Sequence, residues 1–331
     1  MNSTASRFDV ALAAYPLNYF KGLRERQMPV LKPLGNSLLR HFTMKDPNSY
    51  LPLHVIYSFF KEVRALYGLE FFAHQYLGHL KLGNMGVSGE FMVSNNRVLP
   101  TLQSFSKYGG LLCTNQDIQL HIKGTHVFCS NRFYGDSNFE KTIMEYVWLF
   151  MLLDLLKTAE GPLWAPLGIQ LSCKACEYPK LEIIPETTEV LFNQEVVGIR
   201  FKTSTLAKHF NKGQGREIAE DMLMPPASNL SGKIEYLFDK LYSTHLPSLQ
   251  LTAECFGVSV STLKRHLATE QLTYNAILER WRFMKGVNLL TDTNLKIKEI
   301  SDCLYYANSA NFIRAFRRWS GKSPKEFRGA S

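Results

Sequence analysis

The chain has 331 residues, 45% of them apolar and 20% charged, a composition that excludes a disordered protein and leaves room for two domains. Lys and Arg number 38 against 29 Asp and Glu, a net charge of +9, and +6 of that falls between Lys233 and Ser331, where 15 basic side chains meet 9 acidic ones. Six cysteines over this length are no secreted disulfide framework, and Met1 to Phe20 lacks the basic-then-apolar order of a signal peptide, so a reducing cytoplasm is the expected setting.

In chain order, Leu53 to Tyr67 places Ile56, Phe59, Phe60, Val63, Leu66 and Tyr67 at helical spacing. Asp117 to Tyr134 alternates about Gly124 and Thr125 and predicts two strands joined by a turn. Phe139 to Lys157 predicts a helix. Within it Ile143 to Leu156 carries Glu145 and Asp154, too interrupted to span a bilayer, so this helix is expected to be buried and no membrane partner is expected. Ile169 to Cys173 and Val196 to Phe201 predict further strands. From Asn211 to Gly232 the chain gathers Gly213, Gly215, Pro225, Pro226, Asn229, Ser231 and Gly232, the composition of a linker. Residues 1–210 are thus expected to form an α+β domain, 211–232 a linker, and 233–331 an all-α domain. In the last, Ile234, Leu237, Phe238, Leu241 and Tyr242 mark one apolar helix face, and Tyr274, Ile277, Leu278, Trp281, Met284 and Val287 mark another over Thr273 to Leu290.

The all-α part contains a duplication. Ala253 and Phe256 correspond to Ser301 and Leu304 at an offset of 48, while Leu263, Arg265 and Leu267 correspond to Phe312, Arg314 and Phe316 at an offset of 49. One extra turn residue in the second copy accounts for the change. Each copy reads as a short helix, a tight turn and a second helix. Gly257 stands where the first helix must end, and Ser259 is placed to cap the next. With Leu263 and Leu267 inward, Ser261 and Arg265 face out and Lys264 lies on the flank. In the second copy Phe312 and Phe316 face in, while Ala310, Arg314 and Arg317 face out. An outward Arg can make bidentate contacts to guanine or phosphate. The intervening helix is roughly 27 Å long at 1.5 Å per residue, of the order of the about 34 Å between successive major grooves on one face of B-DNA.

Signals for other chemistry fail. Gly321, Lys322 and Ser323 imitate the end of a phosphate-binding loop, but Phe316 occupies the place of its first glycine. No apolar strand precedes Gly83, Gly86 and Gly89. Cys173 and Cys176 form a lone CxxC; Cys113, Cys129, His121 and His126 could complete a zinc site only if the fold gathered them, and structural cysteines are the better expectation. There is no nucleophile elbow, paired-carboxylate motif or HExxH helix, so no enzyme, catalytic residue, metal or cofactor is expected. Phe59, Phe60, Phe71, Phe72, Phe91, Phe105, Phe128 and Phe133 could line an apolar pocket, with core the commoner fate.

The run from Ala315 to Arg328 (Ala-Phe-Arg-Arg-Trp-Ser-Gly-Lys-Ser-Pro-Lys-Glu-Phe-Arg) resembles the closing signature of AraC/XylS-type transcription regulators, and residues 233–328 follow that family's double helix-turn-helix pattern. The stretches Asp46 to Pro52, Leu82 to Gly89, Pro100 to Tyr108 and Val196 to Phe201 resemble the sensor domain of the subgroup typified by ornithine-utilisation regulators. The resemblance implies an α+β sensor or dimerisation domain followed by two helix-turn-helix units on a linker helix. It implies a regulator, an activator by expectation, that binds double-stranded promoter DNA as a homodimer, meets RNA polymerase and answers to a small-molecule effector. Carried over by position, Ser261, Lys264 and Arg265, and Ser309, Asn311 and Arg314, are the base-reading candidates. Arg317, Arg318, Lys322 and Lys325 are the phosphate candidates. One departure stands out: the family ends the first helix of its second unit with Gly-Phe, whereas this chain has Tyr305 and Tyr306, so that turn is expected to be altered. The competing reading is a ligand-binding or interaction protein whose helical tail docks protein.

Overall fold

A computed structural model describes residues 8–330 except 26, 30, 43–44, 77–79, 135–137, 176–183, 211–218, 221–222, 224–226 and 242–247; of 31–32, 69–70, 72–76, 138–141 and 330 it describes the backbone alone. The chain divides into two units, Met1–Pro226 with Cys255–Gly257, and Ala227–Glu254 with Val258–Ser331.

The first unit mixes helices and strands. Strand β1 (Val10–Leu12) leads into α1 (Ala14–Glu25), α2 (Leu31–Asn36), β2 (Tyr50–Pro52) and α3 (Leu53–Tyr76), which is broken at Gly68 by a φ of 82°. Strands β1 and β2 pair antiparallel, Val10 opposite Pro52. Tyr19 on α1 lies edge-on to Phe59 and Phe60 of α3 at 5.8 and 5.9 Å, so the helical spacing of that apolar run serves the packing of α1 on α3. Helices α4 (Gly86–Val93) and α5 (Val98–Tyr108) follow. Then comes the expected hairpin, β3 (Gln116–Lys123) and β4 (His126–Phe133), in register from Gln116 with Phe133 to Lys123 with His126. Gly124 turns it with a φ of 58°, a conformation glycine adopts without a Cβ penalty.

Helix α6 (Asn138–Glu160), β5 (Gly168–Gln170), β6 (Glu189–Leu191) and β7 (Val197–Lys202) complete a five-stranded sheet of order β3-β4-β7-β5-β6, antiparallel except for β5 with β6. Helix α6 packs on β4 and β7. Ile143 through Leu153 is buried on every side, as expected of an all-round apolar helix inside a domain. Its Glu145 is 1% exposed and is satisfied by the backbone N–H of Ser172 at 3.1 Å and by the Ser172 hydroxyl, so the carboxylate that bars this segment from a membrane is a partnered core group. Asp154 pairs with Lys81 at 3.6 Å. No helix among the described residues is long and apolar enough to cross a membrane.

Two of the N-terminal runs, Asp46 to Pro52 and Leu82 to Gly89, meet in one corner. Asn48 accepts a hydrogen bond at its Oδ1 from the backbone N–H of Val87 at 2.7 Å, tying the stretch Asp46 to Pro52 to the start of α4. A Cβ on Gly89 would lie 2.0 Å from the Leu82 carbonyl oxygen, so the glycines from Gly83 to Gly89 serve a tight helical corner. Phe59, Phe60, Phe105 and Phe133 are buried, Phe71, Phe91 and Phe128 are half-buried, and the side chain of Phe72 lies outside the described residues. A surface depression of about 510 Å³ lies at the end of α6, lined by Asp154, Lys157, Thr158, Ala159, Glu160, Gly161 and Pro162, with no phenylalanine among them.

Cys113, Cys129 and Cys173 are buried whereas His121 and His126 are exposed, so the sheet does not gather them; Cys176 lies outside the described residues. Burial pushes the Cys129 thiol up to about 12, where it stays protonated.

The described residues of the second unit are helical: α7 (Leu230–Leu241), α8 (Leu249–Cys255), α9 (Val260–Thr269), α10 (Tyr274–Asp292), α11 (Ile297–Cys303), α12 (Ser309–Ser320) and α13 (Pro324–Ala330). Helix α7 begins at Leu230, inside the stretch 211–232 expected to be linker, so Ser231 and Gly232 are helical. Most of the linker, and Tyr242, lie outside the described residues. The early start has a physical cause. Glu270, at the end of α9, accepts the N–H groups of Leu230 and Ser231 at 2.7 and 3.1 Å and so caps α7 from 40 residues away.

Partial burial raises the Glu270 pKa, but hydrogen bonds from the Ser231 side chain and from the N–H groups of Leu230 and Ser231 outweigh it and hold the carboxyl below its ordinary value. A depressed folded pKa gives stability that is present above the unfolded carboxylate value and lost as pH falls through the folded one. Solvent screening keeps this cap to about 1 kcal/mol. Glu270→Ala is therefore expected to lower stability in urea unfolding near pH 7, with a smaller deficit near about pH 3. An equal deficit at both pH values would contradict a charged cap.

Candidate nucleic-acid interface

The two halves of the second unit repeat with the spacing read from the sequence. Helices α8 and α11 begin at Leu249 and Ile297, 48 residues apart; α9 and α12 begin at Val260 and Ser309, 49 apart. Their N-caps, Ser259 and Asn308, keep the same offset, the first accepting from the Thr262 N–H at 3.1 Å and the second from the Asn311 N–H at 2.9 Å.

The turns correspond as well. Gly257 has a φ of 66° and Tyr305, 48 residues on, a φ of 57°. In each, the next N–H closes a six-residue loop, Val258 to the Ala253 carbonyl and Tyr306 to the Ser301 carbonyl, both at 3.0 Å. The tyrosine pair thus leaves the backbone turn unaltered, against expectation. Arg282 of α10 holds it in place: its Nη2 donates to the Tyr305 carbonyl at 3.3 Å and its guanidinium lies 4.6 Å from the Tyr306 ring centre, which packs against Phe312 at 5.6 Å. A left-handed tyrosine still costs about 1 kcal/mol. Tyr305→Gly is expected to stabilise this unit by up to that amount, a rise in thermal midpoint of up to about 4–8 °C, and a lowered midpoint would show that the tyrosine ring contributes more than its backbone costs.

Behind the turns lie two cores that share α10. Phe238 of α7 meets Tyr274 and Trp281 edge-on at 5.5 and 5.7 Å, and Asp239 accepts from Trp281 Nε1 at 3.1 Å. In the other half Leu290, Ile300, Leu304, Phe312 and Phe316 form a buried cluster, with Phe283, Val287 and Phe327 packed on it. These cores orient α9 and α12. On α9, Leu263 and Leu267 are buried, and Ser261, Lys264 and Arg265 are exposed. On α12, Phe312, Ala315 and Phe316 are buried; Ala310, Ile313, Arg314 and Arg317 are exposed; Ser309 and Asn311 are half-buried. Asn311 accepts at Oδ1 from Arg314 Nη2 at 2.6 Å and so braces the arginine fork.

The phosphate candidates are exposed, but not alike. Arg318 is paired with Glu279 of α10 at 3.0 Å, a surface ion pair of small net energy that a polyanion could displace. Arg317 stands in the last turn of α12, where Gly321 adopts a φ of 74° and donates its N–H to the Arg317 carbonyl at 2.9 Å. Ser323 and Glu326 then form a reciprocal cap on α13, the Ser323 N–H to Glu326 at 2.7 Å and the Glu326 N–H to Ser323 at 3.3 Å, with Lys322 and Lys325 flanking it. The apparent phosphate-loop ending from Gly321 to Ser323 is thus the end of one helix and the cap of the next.

The register also exposes a residue that sequence reasoning passed over. The equivalents of Ser261, Lys264 and Arg265 at an offset of 49 are Ala310, Ile313 and Arg314, whereas Ser309 and Asn311 sit at other positions of the helix. Applying the offset to Lys264 as well as to Arg265 finds Ile313.

Known proteins match this part of the chain. Residues 252–330 match the family described as "Helix-turn-helix domain". Over 101 residues the chain is 37% identical to the HTH-type transcriptional regulator VqsM of Pseudomonas aeruginosa, covering 30% of this chain and 31% of that protein. It is 32% identical over 112 residues to the transcriptional activator AggR of Escherichia coli, covering 34% and 42%, and 38% identical over 84 residues to the ornithine utilization regulator of Pseudomonas aeruginosa, covering 25% and 25%. The matched segments thus span less than half the length of each of these relatives. A crystal structure of the transcriptional regulator CdpR from Pseudomonas aeruginosa aligns with 96% of this chain and 98% of its own at 16% identity, with a TM-score of 0.40. Over residues 252–330, then, the chain matches the helix-turn-helix domain family in sequence, on a helical unit whose two halves repeat in register.

Proposed function

We propose that the chain is a sequence-specific DNA-binding transcription regulator of the AraC/XylS type, working in the cytoplasm and not as an enzyme. The observation that carries this reading is the repeated helix pair with capped second helices that present Arg265 and Arg314 outward. Both helix pairs act as helix-turn-helix units, and α10 is the linker helix that spaces them. Ser261, Lys264, Arg265, Ser309, Asn311 and Arg314 contribute to reading base edges. Arg317, Arg318, Lys322 and Lys325 contact phosphate and supply affinity that carries no sequence information.

Residues 1–210 form the sensor or dimerisation domain of the ornithine-utilisation type, 211–232 the connection and 233–331 the DNA-binding domain. Double-stranded promoter DNA is the partner, bound by a homodimer that activates transcription with RNA polymerase under a small-molecule effector. The names of the relatives support regulation and, for AggR, activation. Selection of bound sequences from random double-stranded DNA by the purified full-length chain tests the reading. An enriched motif of two parts about one helical turn apart is expected. Recovery of unenriched DNA, with binding that is indifferent to salt, would refute it and favour a protein-docking role.

A further inference from the structure

The offset of 49 residues sets two outward helix faces side by side, alike in geometry and unlike in chemistry. At the three matched positions α9 presents Ser261, Lys264 and Arg265, and α12 presents Ala310, Ile313 and Arg314. All six side chains are exposed; Ile313 is 37% exposed and belongs to a small group of large apolar side chains left open among the described residues. It is not a misplaced core residue, because Phe312, Ala315 and Phe316 already fill the inner face of α12. The apolar pair lies within the first five residues of the helix, the part that reaches base edges when a recognition helix enters the major groove. Exposed Arg314 and Arg317 follow it on α12, so a polyanion suits this face better than an apolar protein surface does.

We infer that the two helices read different chemical features of the DNA: α9 reads hydrogen-bond acceptors of purines, and α12, through Ala310 and Ile313, reads the 5-methyl groups of thymine. The inference rests on the DNA-reading function proposed above. Neither an alanine nor an isoleucine side chain can donate or accept a hydrogen bond, so neither can read a guanine or adenine edge. The thymine methyl is the apolar group that a base pair offers in the major groove, and apolar side chains recognise it. Arg314, braced by Asn311, then reads a guanine beside the thymines. The half-site under α12 is therefore rich in A·T pairs with defined thymine positions, and the half-site under α9 is anchored by guanine.

The test starts from the motif selected by the full-length chain and replaces each thymine in turn by deoxyuridine, which keeps every hydrogen-bonding group and lacks only the methyl. Binding is read by fluorescence anisotropy for the wild type and for Ile313→Ala. One or two uridine positions, confined to one half-site, are expected to weaken wild-type binding about fourfold each, the worth of burying one methyl group. Ile313→Ala should lose most of the preference for thymine over uridine at the position beneath residue 313 and keep it at any position beneath Ala310. A second variant, Ile313→Lys, copies Lys264 and should move the selected preference at that position from thymine to guanine. If uridine is tolerated everywhere, or if Ile313→Ala keeps the full thymine preference, the thymine assignment is wrong although DNA reading stands. If no motif is enriched at all, the DNA-reading function fails and takes this assignment with it.

Discussion

Arg265→Ala is expected to weaken binding to the selected DNA sequence by roughly 5- to 150-fold, the range for losing one bidentate arginine–guanine contact, and to leave affinity for random DNA within about twofold. Arg314→Ala should behave likewise. The asymmetry follows from where the side chains stand. Arg265 projects from the exposed face of a helix fixed by Leu263 and Leu267, with its start capped by Ser259. A base edge met by that face can be told from its alternatives by the geometry of the fork. Lys322 occupies the bend between α12 and α13, beyond the reading face, so Lys322→Ala should weaken specific and random DNA alike and reduce the salt slope by about one. Anisotropy titrations over a salt series with both DNAs measure all three. Equal losses on selected and random DNA for Arg265→Ala would remove it from base reading and leave it a phosphate contact.

The largest expected effect on stability belongs to Phe312→Ala. Phe312 is fully buried on α12, 5.7 Å from the ring of Phe316 and 5.6 Å from that of Tyr306, inside the cluster that joins α10, α11 and α12. Truncating a core phenylalanine costs about 3–5 kcal/mol, against a whole-domain stability of roughly 5–15 kcal/mol. Because Phe312 also packs on Tyr306, the loss reaches the turn that aims α12. The expected result is a helical transition of the second unit at much lower urea, followed by circular dichroism and tryptophan fluorescence. A shift equivalent to less than about 1 kcal/mol would mean that the cluster closes over the gap without loss, contrary to the close packing of these rings.

The second unit was legible because its information is local and doubled. The offset of 48 residues was visible in Phe256 and Leu304 and that of 49 in Leu263, Leu267, Phe312 and Phe316, and the helix starts reproduce both. The hairpin about Gly124 and the buried helix α6 were legible for similar reasons, strict alternation in one and unbroken apolarity in the other. Strands β1 and β2 were not, since three residues each are too few to show a period and their pairing joins Val10 to Pro52 across the intervening helices. The start of α7 rests on two caps: Asn229, read in the sequence only as linker composition, accepts the Gly232 N–H, and Glu270, a partner 40 residues away, accepts those of Leu230 and Ser231. The conformation of Tyr305 was likewise decided at a distance, by Arg282. Ala310 was legible as outward but Ile313 was not, because an exposed isoleucine breaks the inward-apolar pattern from which a helix face is read. The contact by which the Asn48 side chain joins two runs of the first unit was not legible, since it spans 39 residues between segments with no shared pattern.

Helix α10 gives Trp281 to one core and Phe283, Val287 and Leu290 to the other. Opening either half strips one side of it, and closing either half protects only that side. Its amide hydrogens beside Trp281 are therefore expected to exchange when the first half opens and those beside Leu290 when the second does, so exchange along this one helix reports the stability of each half separately.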